Sequence, residues 1–245
     1  MITKKLTPKE FKQTEKAIAD FTRAILLDGT NAEIYCSRGA SYQLINCTMQ
    51  AIADFTSAIA LDPNNAQAYI YRGRSYQDIY KHAKAIKDFT SAITLDPNNA
   101  EAYYRRGYNY YFEDFHGKAI KDCTKAIELD PNNAEPYIYR GRIYFVSFFR
   151  SNEKAVADLT EAIKLEPNNA VAYYNRGESY SEMKQYERAV ADLTKAIELN
   201  ANDVYAYYIR RSVCYRKLHQ HEKASSDMTM ARKIIVYSVD KSKRM

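Results

Sequence analysis

A chain of 245 residues with 46% hydrophobic and 27% charged residues is neither disordered nor membrane-embedded by composition. No apolar run approaches the roughly 18 residues of a membrane-spanning helix, and Met1-Ile-Thr-Lys-Lys leads into no apolar core, so no secretory signal is expected. The net charge of +6 sits at the ends, in five lysines against two glutamates over residues 1–16 and five basic residues against one aspartate over 232–245; the near-neutral body argues against a nucleic-acid surface.

In chain order, Thr7-Pro8-Lys9-Glu10 reads as a capping box with proline at the first helical position. The helix that follows carries Ala17, Asp20, Phe21, Ala24, Ile25 and Leu27. Beyond it a pattern repeats: Asp62-Pro63-Asn64-Asn65 returns at Asp96 and Asp130 at a 34-residue period, as Glu166-Pro167-Asn168-Asn169 after 36, and as Asn200-Ala201-Asn202-Asp203 after 34 more. Cutting after each gives repeats 32–65, 66–99, 100–133, 134–169, 170–204 and 205–238. A half-repeat, 8–31, precedes them and a basic tail, 239–245, follows.

Within each repeat the same places hold the same residues. Tyr35, Tyr69, Tyr103, Tyr137, Tyr173 and Tyr208 open a first helix; Arg38, Arg72, Arg106, Arg140, Arg176 and Arg211 follow three residues on. Gly39, Gly73, Gly107, Gly141 and Gly177 come next, with Ser212 in the last repeat, and a second tyrosine lies three residues further. The second helix carries Ala51, Ala85, Ala119, Ala155, Ala189 and Ala224. Spacings of three, four and seven put these residues on apolar stripes of two short helices. Small residues let the paired backbones approach closely. The Asp-Pro step stops the second helix, and the last Asn can cap the next one. Asp54, Asp88, Asp122, Asp158, Asp192 and Asp227 accompany the six arginines, which predicts an Arg–Asp ladder along the stack.

This pattern of aromatic, Gly, Tyr, Ala and Pro resembles the tetratricopeptide-repeat (TPR) family over residues 8–238, although arginine stands where many members place leucine. The resemblance implies an all-α, right-handed superhelical α-solenoid of antiparallel helix pairs, a single solenoid over 1–238. It also implies a function as a scaffold that binds a protein or extended peptide along the first helices. The groove positions carried over are Tyr71, Arg74, Tyr104, Arg105, Tyr108, Tyr111, Tyr139, Arg142, Tyr174, Asn175 and Arg210, with Ile70, Gln77, Ile138 and Glu178 among their neighbours. Interleaved Tyr and Arg is the composition of binding hot spots and suits a partner with acidic residues. Replacing Tyr104, Arg105 and Tyr108 with alanine is expected to abolish capture with melting nearly unchanged.

A clamp for the acidic tails of heat-shock chaperones is matched only at Asn175 and Arg210, with Ile138, Arg142 and Ala206 at the other places. An RNA-binding helical repeat is the rival from another class. No catalytic motif, cofactor loop or metal-ligand spacing appears, and the repetition of the carboxylates points to architecture rather than catalysis. Cys36, Cys47, Cys123 and Cys214 form no C-x-x-C pair and fit reduced thiols, so a cytoplasmic protein is expected. Two extra residues in the fourth repeat fall at the turn between its helices, where Phe148 and Phe149 form either a contact knob on one edge or, the favoured reading, packing against the neighbouring turn. The half-repeat lacks a first helix, which leaves self-association through an end open.

Overall fold

The computed structural model describes residues 6–146, 151–200 and 204–242, with side chains to residue 234. Phe148 and Phe149 lie outside the described residues. The chain divides into two compact units, Met1–Leu129 and Asp130–Met245. The first holds α1 (Pro8–Leu27), α2 (Ala32–Leu44), α3 (Thr48–Leu61), α4 (Ala66–Asp78), α5 (His82–Leu95), α6 (Ala100–Phe112) and α7 (His116–Leu129). The second holds α8 (Ala134–Val146), α9 (Asn152–Leu165), α10 (Ala170–Glu182), α11 (Tyr186–Leu199), α12 (Tyr205–Lys217) and α13 (His221–Ser242). No strand occurs among the described residues. Helix α13 carries four residues past 238, where a tail is expected; no glycine or proline stands there to stop it.

Each unit is an all-α repeat solenoid of antiparallel helix pairs. In the first, α2 packs on α3, α4 on α5 and α6 on α7; in the second, α8 packs on α9, α10 on α11 and α12 on α13. Successive first helices touch (α2 with α4, α4 with α6; α8 with α10, α10 with α12), while successive second helices do not. The first helices therefore form the inner layer of each unit and the second helices the outer.

Local chemistry sets the ends of these helices. The Thr7 hydroxyl accepts from the Glu10 amide, and the Glu10 carboxylate accepts from the Thr7 amide at 2.8 Å, the expected capping box. Asn31, Asn65, Asn99 and Asn169 cap α2, α4, α6 and α10 through their side-chain oxygens. In the same turns Asp62, Asp96 and Asp130 accept from the amides of Asn64, Asn98 and Asn132, so the Asp-Pro-Asn-Asn segment closes one helix and opens the next.

The turn inside each pair is built differently. Asn46, Tyr80, Asp114, Lys184 and His219 sit at φ between 57° and 59°, the left-handed region. At Tyr80 the amide donates to Gln77 O, and the Lys81 amide donates to Tyr76 O. These two bonds form the Schellman end that needs a left-handed residue. The sequence carries no glycine at these five places, so the turn is not visible from residue type there.

Close packing follows from the small residues. A Cβ on Gly39 would lie 2.7 Å from the Phe55 ring, and one on Gly73 would lie 2.9 Å from the Phe89 ring. Ala51, Ala85, Ala119, Ala155 and Ala189 are completely buried.

The predicted Arg–Asp ladder is present in all six repeats. In each, Nε donates to one carboxylate oxygen and Nη2 to the other: Arg38–Asp54, Arg72–Asp88, Arg106–Asp122, Arg140–Asp158, Arg176–Asp192 and Arg211–Asp227. The aspartates are 3–7% exposed, so these are desolvated clamps rather than surface pairs. Within each unit the arginine also reaches the previous repeat, with Nη1 donating to Thr22, Thr56, Thr90, Thr160 or Thr194. One guanidinium thus ties three helices.

Candidate functional site

In the first unit the inner face carries α4 and α6. Tyr71 is half-buried, its ring 5.4 Å from Phe55, and its carbonyl accepts from the Gln43 amide. Arg74 is half-exposed, with Nη1 3.9 Å from Glu101. Arg105 donates its Nε to the same Glu101 and lies over the Tyr104 ring at 5.2 Å. Glu101 therefore sits between two arginines. Tyr108 and Phe112 are 4.7 Å apart, Phe112 stacks on His82 at 4.9 Å, and Tyr111 lies 5.1 Å from Phe112 and 5.9 Å from His116. Phe112 stays 43% exposed.

Several positions expected to face a ligand are packed inside instead. Tyr104 and Arg105 are 8% and 7% exposed, and Ile70, Gln77, Ile138 and Glu178 are also buried. Ile70 packs on Ala85, Phe89 and Ala92 of α5 and on Ala102 of α6, Ile138 packs on Ala162 of α9 and Ala172 of α10, and Gln77 and Glu178 meet Asn109 and Arg210 of the next first helix. Alanine at Tyr104 or Arg105 removes buried packing, so a lower melting temperature is expected for those two variants in place of an unchanged one.

A polar chain crosses the same contact. Asn109, completely buried, donates to Gln77 Oε1 at 3.1 Å and to Arg105 O at 2.8 Å, while its Oδ1 bonds His82 Nδ1 at 2.8 Å. The equivalent link one repeat earlier is Gln43 to Ser75 at 2.7 Å. Sequence reasoning passed over His82 and Asn109. The available signal is that Asn109 stands where the other repeats hold Ser41, Ser75, Ile143, Ser179 and Cys214.

In the second unit, Tyr139 and Arg142 are half-buried on α8. Tyr174 on α10 stacks on Tyr207 of α12 at 4.7 Å. Glu178, one turn from Tyr174, accepts from its hydroxyl at 3.3 Å and from Arg210 Nε at 3.1 Å. Burial raises the Glu178 pKa above its ordinary value, with Arg210 and the Tyr174 hydroxyl acting against it. The Glu178 charge in turn holds the Arg210 pKa up. The Arg210 side chain remains 54% exposed. Asn175 spends its amide on Val171 O within its own helix. Tyr174, Glu178, Tyr207 and Arg210 thus form one cluster, to which sequence reasoning did not assign Tyr207.

No group of three or more potential metal ligands occurs among the described residues. None of the four cysteines is in a disulfide; Cys123 and Cys214 are buried. Burial, then Glu33, Asp62 and Asp54, push the Cys36 thiol up to about 11.

Comparison with known proteins gives a consistent picture. Tetratricopeptide-repeat models match residues 170–203 and 100–133, and a TPR-repeat model matches 81–111 and 151–184. No curated protein matches the chain. Among solved structures, the anaphase-promoting-complex heterotetramer Cut9–Hcn1 superposes with a TM-score of 0.75 at 19% identity, covering 90% of this chain and 43% of that one. This chain therefore spans less than half of that neighbour. Pseudomonas aeruginosa pilF superposes at 0.72 with 15% identity, covering 86% and 97% of the two chains. YrrB, titled a TPR protein with an unusual peptide-binding site, superposes at 0.60 with 24% identity over 75% and 93%. At these identities the likeness speaks for the fold. With tetratricopeptide-repeat models matching in both units, the chain is a tetratricopeptide-repeat protein.

Proposed function

We propose that this protein is a non-catalytic scaffold that holds an extended, acidic peptide or protein segment on the inner face of its first helices. The TPR fold generally mediates protein–protein interaction, and the cluster around Arg210 supports the finer reading. A guanidinium carries five donors, of which Glu178 and Tyr174 take only part. The rest belong to a half-exposed arginine beside the stacked Tyr174 and Tyr207 rings. Rigid aromatic area next to an arginine fork is the chemistry that grips a carboxylate-bearing chain. Arg74 and Glu101 supply a second polar position on the first unit's inner face. The cytoplasmic setting belongs to this reading and is supported by four cysteines that form no C-x-x-C pair, two of them buried.

The test is an array of extended peptides graded in acidic content, followed by fluorescence titration of the best binder against the chain and its Arg210→Ala and Tyr174→Ala variants. Binding that rises with carboxylate content and falls about tenfold in each variant, on the order of 1.4 kcal/mol, supports the reading. Equal binding to both variants, or preference for homopolymer RNA with a steep salt dependence, defeats it.

A further inference from the structure

A groove of about 670 Å³ runs between α6 and α7 of the first unit. Its α6 wall is the stripe of Tyr103, Arg106 and Tyr110, distinct from the inner-face stripe of Tyr104, Arg105 and Tyr108. Its α7 wall runs from Lys118 through Lys121 and Lys125 to Glu128, about 15 Å of helix at roughly 1.5 Å per residue. The charges along it do not cancel. Arg106 is spent on Asp122, with Nε and Nη2 donating to the two carboxylate oxygens, and Lys125 donates to Glu128 at 3.2 Å. Lys118 and Lys121 are left over, and neither has an acidic partner among the described residues. The Lys118 ammonium is held over the Tyr110 ring at 5.4 Å and the Phe115 ring at 4.9 Å. Tyr103 and Tyr110 flank the Arg106 guanidinium at 5.7 and 5.8 Å, and their hydroxyls make no hydrogen bond to another described residue.

Repetition separates what builds the fold from what is added to it. The place of Lys118 holds Lys84, Lys154, Arg188 and Lys223 in other repeats, each over the second tyrosine, so that cation belongs to the repeat. The place of Lys121 holds Ala53, Ala157, Ala191 and Ser226, and only Lys87 of α5 matches it. Lys121 is exposed and unpaired, so its charge serves no contact of the fold and is free to meet an anion. We propose that this groove binds a phosphorylated side chain on an extended segment of a partner protein, with Lys118 and Lys121 holding the phosphate and the Tyr103 and Tyr110 hydroxyls donating to its oxygens. The surplus of Lys118 and Lys121 matches a phosphomonoester, which carries about 1.5 to 2 negative charges near neutral pH, where a carboxylate carries about one. The α7 wall is long for a lone ion and takes about four or five extended residues at roughly 3.3 Å each. A polynucleotide, charged at every phosphate, would run past Lys125 onto Glu128. The groove shares no residue with the inner-face cluster at Arg210 and does not depend on the reading of that cluster.

The experiment immobilises the full chain and measures retention of a fluorescent pool of short peptides, degenerate except for a central phosphoserine. The same pool with serine or glutamate at the centre is run beside it. The phosphoserine pool should be retained about tenfold better than the serine pool and about threefold better than the glutamate pool. Lys118→Gln and Lys121→Gln should each lower its retention about fivefold or more. Lys154→Gln, at a repeat that has Ala157 in the place of Lys121, should leave retention unchanged, and so should Arg210→Ala. Lys118 and Lys121 are exposed, so their replacement leaves the fold intact, and circular dichroism checks this. Equal retention of the three pools, or of the phosphoserine pool by the wild-type and Lys121→Gln chains, overturns the proposal. So does a glutamate pool held as well as the phosphoserine pool, because the groove then takes any acidic segment. Displacement of the pool by an equal concentration of inorganic phosphate overturns it in favour of a lone-anion site, and displacement by homopolymer RNA in favour of a nucleic acid. Loss of retention with Arg210→Ala alone would put the peptide on the inner face and overturns it as well.

Discussion

Arg72 on α4 and Asp88 on α5 form a two-point clamp, Nε to Oδ2 and Nη2 to Oδ1, both at 2.8 Å, and Nη1 of the same guanidinium reaches Thr56 on α3 at 3.2 Å. The bonds to Asp88 hold the Arg72 pKa above its ordinary value against the cost of burial. Asp88 is 3% exposed, so the carboxylate has exchanged water for the guanidinium. Removing one member of a buried pair leaves the other uncompensated, and Asp88→Ala is expected to lower stability by roughly 3 kcal/mol. The double replacement Arg72→Met with Asp88→Leu should lose far less than the sum of the single changes. Urea unfolding of the four proteins measures the coupling.

Gly73 and Gly117 should respond in opposite directions to the same substitution. Gly73→Ala drives a Cβ to 2.9 Å from the Phe89 ring, which is wholly buried and has no space to retreat. Overpacking of this kind costs about 1–3 kcal/mol. At Gly117, in the first turn of α7, nothing lies within 4 Å, and Gly117→Ala should be neutral or gain up to about 1 kcal/mol from helix propensity. Thermal melts of the two variants decide it.

Tyr80 holds φ 57° while its side chain is 79% exposed, so little packing compensates the left-handed backbone. An L-residue with a Cβ costs about 1–2 kcal/mol there, and glycine avoids most of it while adding unfolded-state entropy. Tyr80→Gly is expected to raise stability by about 0.5–1 kcal/mol on balance. A variant that melts lower than the parent would show that the ring contact with His82, at 6.3 Å, matters more than the backbone.

Glu178 gives the fold a pH dependence of known sign. Its folded pKa is raised above the ordinary 4.5, chiefly by burial. The native state therefore binds the proton more tightly than the unfolded chain, and stability falls as pH rises from 4.5 through the raised folded value. Glu178→Gln should flatten the curve across that window. Chemical unfolding of both proteins at several pH values between 4 and about 7 reads the difference in slope.

On the inner face, the burial of Tyr104 and Arg105 makes their alanine variants tests of stability. Both should melt below the parent, with Tyr104→Ala losing about 3 kcal/mol by the usual cost of emptying a buried aromatic site. Arg74→Ala, at a half-exposed side chain, should leave melting nearly unchanged and so serves as the control for capture.

Much of the architecture was legible because the chain states it six times. A 34-residue period in Tyr, Arg, Gly, Ala and Pro places a helix pair in each repeat, and the co-occurrence of Arg72 with Asp88 and of Arg106 with Asp122 foretells the ladder. The start of α1 was legible too, since Thr7, Pro8 and Glu10 mark it. All of this depends on residue type and spacing along one chain, which local helix chemistry reads directly.

Tertiary structure alone decided what lies between neighbouring repeats. Whether Arg105 faces a ligand or Glu101, and whether Asn109 is surface or the buried hub of Gln77 and His82, both turn on which helix stands opposite. The reach of Arg72 to Thr56, across a separation of 16 residues, belongs to the same class. So does the left-handed turn at Tyr80, where two bonds closing the helix end impose a backbone that the residue does not prefer. Periodicity tells which face of a helix is apolar; burial on the remaining positions is fixed by the neighbour that packing brings to within a few ångströms.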